Sequence, residues 1–166
     1  TSVCFKMRHD LRDWQATLGY GDVAQKVSEQ AKGRLMTPQD VAQAIISIRQ
    51  SKLPDPKVLG NAGSFFKNPV VDKIQADALK TQYDKLPCYP MTDGRVKLAA
   101  GWLIEQAGWK GARLADGHVG VYDKQALVLV NHGGGTGTQL MALARAIAED
   151  VQSKFGVSIE PEPIVV

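Results

Sequence analysis

The chain has 166 residues, 44% hydrophobic and 22% charged, with a net charge of +3 and a pI near 8.9. That balance belongs to a folded chain of one domain or one and a half, with apolar residues enough for a core. It argues against three classes: no run approaches the roughly 18 apolar residues of a membrane span, no basic stretch leads into an apolar core as in a secretory leader, and the Lys and Arg residues are interleaved with acids rather than gathered into a nucleic-acid footprint. A cytoplasmic location is expected, and the sign of the charge suits an anionic ligand without identifying one.

Alternating apolar residues around 2–8 (Val3, Phe5, Met7) and the stretch 14–19 read as strands, followed by a polar, helix-compatible segment ending at Gly33. A better helix comes next. Thr37 can cap it, Pro38 suits its first position, and Val41, Ala44, Ile45 and Ile48 recur at i, i+3, i+4 and i+7 to make one buried stripe. Pro54 and Pro56 push the residues before them extended and make 52–57 the natural hinge between two parts of the chain. Beyond it, 72–85 and 97–107 read as helices, 117–122 and 126–131 as strands turned at Asp123-Lys124, 137–155 as a long helix and 157–166 as a strand, a mixed α+β arrangement. The second of the two paired strands is nearly continuously apolar from Ala126 to Val130 and should be central. In the long helix Leu140, Leu143, Ala144, Ile147 and Val151 share a face, which is packing surface.

Cys4 and Cys88 are far apart, lack C-x-x-C spacing and have no histidine cluster beside them, so two idle or buried thiols are favoured over a disulfide or a metal site. His9, His118 and His132 are scattered and read as core or surface residues. His132-Gly133-Gly134-Gly135-Thr136-Gly137 lies between strand and helix, where a phosphate loop would be sought. It meets neither glycine-rich nucleotide pattern, and a flexible connection is the better reading.

The most informative segment is Gly60-Asn61-Ala62-Gly63-Ser64-Phe65-Phe66-Lys67-Asn68-Pro69. A serine hydroxyl and an amide stand among small residues that let a ligand approach the backbone, and the two phenylalanines can anchor the segment beneath a cavity. It reads as an active-site loop with the serine at a wall rather than in solvent. A hydrolase nucleophile is disfavoured, because the G-x-S-x-G elbow is missing and no histidine is convincingly placed as a base.

That string closely resembles the serine-bearing segment of the UDP-N-acetylenolpyruvoylglucosamine reductases, flavoenzymes that make UDP-N-acetylmuramate for bacterial peptidoglycan. Tyr20-Gly21-Asp22, Lys52-Leu53-Pro54-Asp55-Pro56-Lys57, Lys97-Leu98-Ala99-Ala100-Gly101-Trp102-Leu103-Ile104-Glu105, Gln125-Ala126-Leu127-Val128-Leu129-Val130-Asn131 and Glu160-Pro161-Glu162 resemble further segments of the family, in the family's order. The resemblance implies an α+β fold in which 1–52 is the C-terminal part of a flavin-binding domain, 53–159 a small mixed α+β substrate-binding domain, and 160–166 a strand returning to an N-terminal part that this chain lacks. Thr1 at the start and the apolar Ile164-Val165-Val166 at the end fit a chain cut at both ends.

By the same resemblance the parent is an FAD-containing, NADPH-dependent oxidoreductase that reduces UDP-N-acetylglucosamine enolpyruvate. Ser64 gives the proton, and Glu162 stabilises the enolate as a neutral acid or through water. Tyr20 covers the diphosphate from a mobile loop, Lys52 neutralises it, and Asn68 and Gln125 hydrogen-bond the nucleotide sugar with amides that both donate and accept. Most of the flavin pocket, and an arginine that helps hold the enolate, fall in the absent part. Taken alone, the chain is expected to be an inactive UDP-sugar-binding module. Pro163 departs from the expected pattern, because it cannot donate to a strand ladder beside Glu162.

Overall fold

The computed structural model describes residues 2–6, 14–19, 22–31 and 33–164. The chain divides into two compact units, Thr1–Ser51 and Lys52–Val166.

In the first unit, α1 (Val23–Ala31) buries Val23, Val27 and Ala31, one residue per turn. α2 (Pro38–Lys52) starts where Thr37 and Pro38 predict. The Thr37 hydroxyl accepts from the Asp40 N–H at 3.3 Å, and the Asp40 carboxylate returns the favour to the Thr37 N–H at 2.9 Å and hydroxyl at 2.7 Å. Arg34 grips the same carboxylate with two guanidinium bonds of 2.7 and 2.5 Å. These bonds, Arg34's first and Thr37's next, hold the Asp40 carboxyl well below the usual carboxylate range. Ala44, with Val41 and Ile48, packs against Val23 and Val27. Ile45 is 41% exposed, so the stripe is narrower than expected.

The strands expected over 2–8 and 14–19 do not form: residues 2–6 and 14–19 are irregular, while 7 and 8 lie outside the described residues. Alternation marks which side chains could share a face, but a strand also needs a partner to take its N–H and C=O groups. Among the described residues, no strand pairs with them.

The second unit is mixed α+β, as predicted. Its strands form two antiparallel sheets. In one, β1 (Gly60–Ser64), β6 (Val128–Asn131) and β5 (Val119–Val121) lie in the order β1-β6-β5; in the other, β2 (Val70–Val71), β4 (Val96–Leu98) and β3 (Cys88–Pro90) lie in the order β2-β4-β3. β6 is central, and its Val128, Leu129 and Val130 are buried. The register Val121↔Leu129 centres the β5–β6 turn on Gln125 rather than on Asp123-Lys124.

α5 (Gly137–Phe155) has the predicted bounds. A reciprocal cap between Thr136 and Gln139 starts it, and Gly156 in the left-handed region (φ 65°) ends it. Leu143, Ala144, Ile147 and Val151 are buried as expected, and Phe155 meets Tyr83 edge-on at 5.1 Å and Trp102 at 6.1 Å.

α3 (Lys73–Gln82) begins where the Asp72 carboxylate accepts the Gln75 N–H. The predicted helix over 97–107 shortens to α4 (Ala100–Gln106), because Val96 and Leu98 turn inward with Lys97 outward and pair on both sides as β4. The strand expected over 157–166 reduces to one bridge, Phe66↔Pro161, within an otherwise irregular tail; 165 and 166 lie outside the described residues. Pro161 and Pro163 limit what that tail can donate.

Candidate functional site

The serine-bearing segment is a strand at the sheet edge, not a loop. β1 pairs with β6 through Gly60↔Asn131, Asn61↔Val130 and Ser64↔Val128, and the register shifts between Asn61 and Ser64. Gly63 takes up this irregularity at φ 75°, a conformation that side-chain-bearing residues rarely adopt. The Asn61 side chain braces it: Oδ1 accepts the Gly63 N–H at 3.0 Å, and Nδ2 donates to the carbonyls of Leu59 at 2.8 Å and Pro54 at 3.3 Å.

Immediately after Ser64, the Phe65 backbone joins two partners. Its N–H donates to the Leu127 carbonyl at 2.7 Å, and its carbonyl accepts the Glu162 N–H at 2.8 Å. The Lys67 N–H donates to the Glu160 carbonyl at 2.9 Å, on the other side of the Phe66↔Pro161 bridge. Both rings lie beneath, Phe65 3% and Phe66 2% exposed, packed edge to face at 5.3 Å. The C-terminal tail is thereby tied to the segment that carries the serine.

Ser64 and Glu162 therefore line one open cleft of about 420 Å³, together with Ala62 and Pro163. Ser64 is exposed on the wall of this cleft, which corrects the expectation of a serine withdrawn from solvent. Pro163 leaves the Glu162 backbone bond to Phe65 intact. In an extended segment successive N–H groups point to opposite sides, so the bond from Glu162 to Phe65 leaves positions 161 and 163 facing away from the ladder.

Asn68 and Gln125 gather elsewhere, at the start of α4. Ala99 offers that helix no side-chain cap, and the Asn68 Oδ1 supplies one by accepting the Ala100 N–H at 2.9 Å. Gln125, half-buried at its turn, accepts the Leu127 N–H at 3.3 Å, and a methyl group added at Gly101 would stand 3.1 Å from its Oε1. Asn68 also borders a second hollow of about 590 Å³ whose walls include Lys67, Asp72, Gln75 and Glu160. Neither amide lines the serine cleft. Lys52 is exposed at the end of α2 and is not among the four cleft residues. Tyr20 lies outside the described residues.

The glycine run 132–137 is a braced turn. The Asn131 Nδ2 donates to the Gly135 carbonyl at 2.7 Å, its Oδ1 accepts from the N–H groups of Gly133 at 2.9 Å and Gly135 at 3.1 Å, and the His118 Nδ1 lies 2.7 Å from the Gly133 carbonyl. Its backbone groups are thus largely engaged within the turn. Cys4 is exposed and Cys88 half-buried, both as free thiols. Among the described residues, no group of three His, Cys, Asp or Glu side chains gathers to hold a metal, and no helix is long and apolar enough to cross a membrane.

The sequence marks the Asn61 amide and the Phe65 ring as a polar group near a ligand and an apolar anchor; the bracing of Gly63 by Asn61 and the two-sided bonding of the Phe65 backbone are visible only in the folded chain.

The second unit is thus an α+β domain in which a serine and a carboxylate line one cleft at the edge of a sheet, with no histidine among the described lining residues. The family model described as UDP-N-acetylenolpyruvoylglucosamine reductase, C-terminal domain, matches residues 55–166. Relatives named UDP-N-acetylenolpyruvoylglucosamine reductase extend the likeness across nearly the whole chain: that of Chromobacterium violaceum is 56% identical over 99% of the chain and 47% of its own length, and that of Burkholderia multivorans 53% over 98% and 46%. The Pseudomonas aeruginosa relative is 58% identical over 88% of the chain and 42% of its own length. The chain belongs to the UDP-N-acetylenolpyruvoylglucosamine reductase family, and it spans about half the length of the curated relatives it matches.

Proposed function

We propose that this chain is the substrate-side half of a cytoplasmic reductase that converts UDP-N-acetylglucosamine enolpyruvate to UDP-N-acetylmuramate for peptidoglycan, and through it for cell shape and division. The observation that carries this reading is the convergence of Ser64 and Glu162, distant in sequence, on one cleft in a chain of this family.

Reduction of an enol ether conjugated to a carboxylate needs a hydride at one alkene carbon, a stabiliser for the charge that spreads onto the carboxylate, and a proton for the other carbon. FAD, reduced by NADPH, is the hydride source when bound. The small residues Ala62 and Pro163 leave room for a planar group against the wall that carries Ser64 and Glu162, whereas no cation for a flavin diphosphate lines the cleft. The groups that hold the cofactor are therefore assigned to the part of the relatives that this chain does not span.

Ser64 hands its hydroxyl proton to the carbanionic carbon and is reprotonated from water. A serine hydroxyl is a very weak acid, so the transfer depends on a strongly basic carbanion and on alignment of the hydroxyl with it. Glu162 faces the substrate carboxylate, where, as a neutral acid or through water, it hydrogen-bonds the developing enolate. Asn68 and Gln125 bind the nucleotide sugar, with Lys52 and Tyr20 at the diphosphate. The domain assignment goes with this reading: 1–52 completes a flavin-binding domain, 53–159 binds substrate, and 160–166 returns toward the flavin side.

The test uses the full-length protein in stopped flow. Ser64→Ala should leave flavin reduction by NADPH nearly normal and slow reoxidation by the enolpyruvate substrate by about 10²–10⁴-fold, the range for a positioned acid. Equal loss in both half-reactions would remove Ser64 from the proton-donor role. That the chain spans only about half the length of its relatives favours a second reading, for the chain taken alone: a UDP-sugar-binding module without turnover. Calorimetric titration with UDP-N-acetylglucosamine enolpyruvate, with Lys52→Ala and Tyr20→Phe as controls, measures it; flavin absorbance and NADPH oxidation by the isolated chain would overturn it.

A further inference from the structure

The geometry points to Asn61 as a positioning residue that aims the Ser64 hydroxyl by locking the irregularity of β1. The inference rests on the reading of Ser64 as proton donor. β1 does not run regularly into Ser64. After Asn61↔Val130 its register shifts, and it resumes at Ser64↔Val128 with Gly63 at φ 75° between them. A one-residue change of register on a strand turns the next side chain to the opposite face, so this shift decides whether Ser64 faces the cleft that holds Glu162.

The extra residue of such an irregularity leaves the regular ladder, and here one side chain braces it. The Asn61 Oδ1 takes the Gly63 N–H, and its Nδ2 ties the same residue to the carbonyls of Leu59 and Pro54 upstream. An amide alone among side chains of this size offers an acceptor and two donors at once. Downstream, the Phe65 backbone is fixed on both sides by Leu127 and Glu162. Ser64 therefore hangs between two clamps, and Asn61 is the one made by a side chain. Asn61 is not among the residues lining the cleft, so it acts on the chemistry through Ser64.

A mutant cycle in the full-length, flavin-loaded protein separates this role from mere support of the fold. Asn61→Ala should slow flavin reoxidation by substrate by about 10²-fold, the loss that a misplacement near 1 Å brings, while flavin reduction by NADPH stays within about twofold. In a Ser64→Ala background, Asn61→Ala should slow reoxidation no further, because the hydroxyl it aims is already gone. Gly63→Ala disturbs the same backbone without new contacts, since an added methyl group meets nothing within 4 Å; it should show the same split and serves should Asn61→Ala fail to fold. Independently of turnover, hydrogen exchange should show the Gly63 amide losing protection in Asn61→Ala. Additive losses in the double variant, an unchanged reoxidation rate in both single variants, or retained Gly63 protection would overturn the assignment. If Ser64→Ala itself leaves reoxidation unchanged, the reading of Ser64 as donor fails instead, and the two failures are told apart.

Discussion

Phe66 is the residue whose removal should most directly uncouple the two halves of the cleft. It is 2% exposed, its ring packs edge to face on Phe65 at 5.3 Å, and its backbone forms the bridge to Pro161 that ties the C-terminal tail to the serine segment. Truncation of a buried phenylalanine costs about 3–5 kcal/mol, depending on how far the surroundings close over the void. Phe66 lies in the main hydrophobic cluster of the second unit, so a loss of at least about 3 kcal/mol is expected. That is a large part of the roughly 5–15 kcal/mol by which a domain is stable. Urea unfolding of Phe66→Ala, followed through the half-buried Trp102 and Trp109, should show a lowered midpoint with an unchanged slope. Below the transition, hydrogen exchange at the Glu162 amide should quicken, because its acceptor is the Phe65 carbonyl. A loss under about 1 kcal/mol would contradict the burial and cavity argument, and an unchanged Glu162 amide would contradict the claim that the bridge positions this carboxylate.

Asn68 separates a structural from a ligand-binding role. Asn68→Ala removes the acceptor for the Ala100 N–H and should cost about 1 kcal/mol, whereas Asn68→Asp keeps that acceptor and should hold the wild-type urea midpoint. Both lose the amide donor, so both should raise KM for the nucleotide-sugar substrate in the full-length protein; an Asp variant as unstable as the Ala variant would refute the capping role. Asp40 makes the first unit acid-sensitive. Its folded carboxyl titrates well below the unfolded value of about 3.9, so its stabilisation is complete above about pH 5 and drains away as pH falls toward the folded value. Asp40→Asn, which cannot titrate, should therefore be less stable than wild type at pH 7, with the gap narrowing between about pH 5 and 2; a gap independent of pH in thermal melts would refute the Arg34 and Thr37 pairing as its source.

The parts of this protein legible in the sequence are those whose information is local. α5 follows from an apolar face repeating at i, i+3, i+4 and i+7, and the start of α2 from Thr37 and Pro38. The central place of β6 follows from a continuous apolar run that only burial on both faces would tolerate. Likeness to a family likewise requires nothing but the order of residues, so the serine and the carboxylate could be singled out before any geometry. The tertiary structure decided the rest. Whether Gly60–Ser64 is a loop or an edge strand depends on β6 presenting its backbone to it, and alternation over 2–6 produced no strand where none of the described strands pairs with it. Asn68 caps a helix far along the chain, and Glu162 shares a cleft with Ser64 because a tail with two prolines still donates the Glu162 N–H to Phe65. Backbone hydrogen bonds between distant segments leave no periodic trace in either segment, and for that reason the cleft exists in the folded chain and nowhere in its sequence.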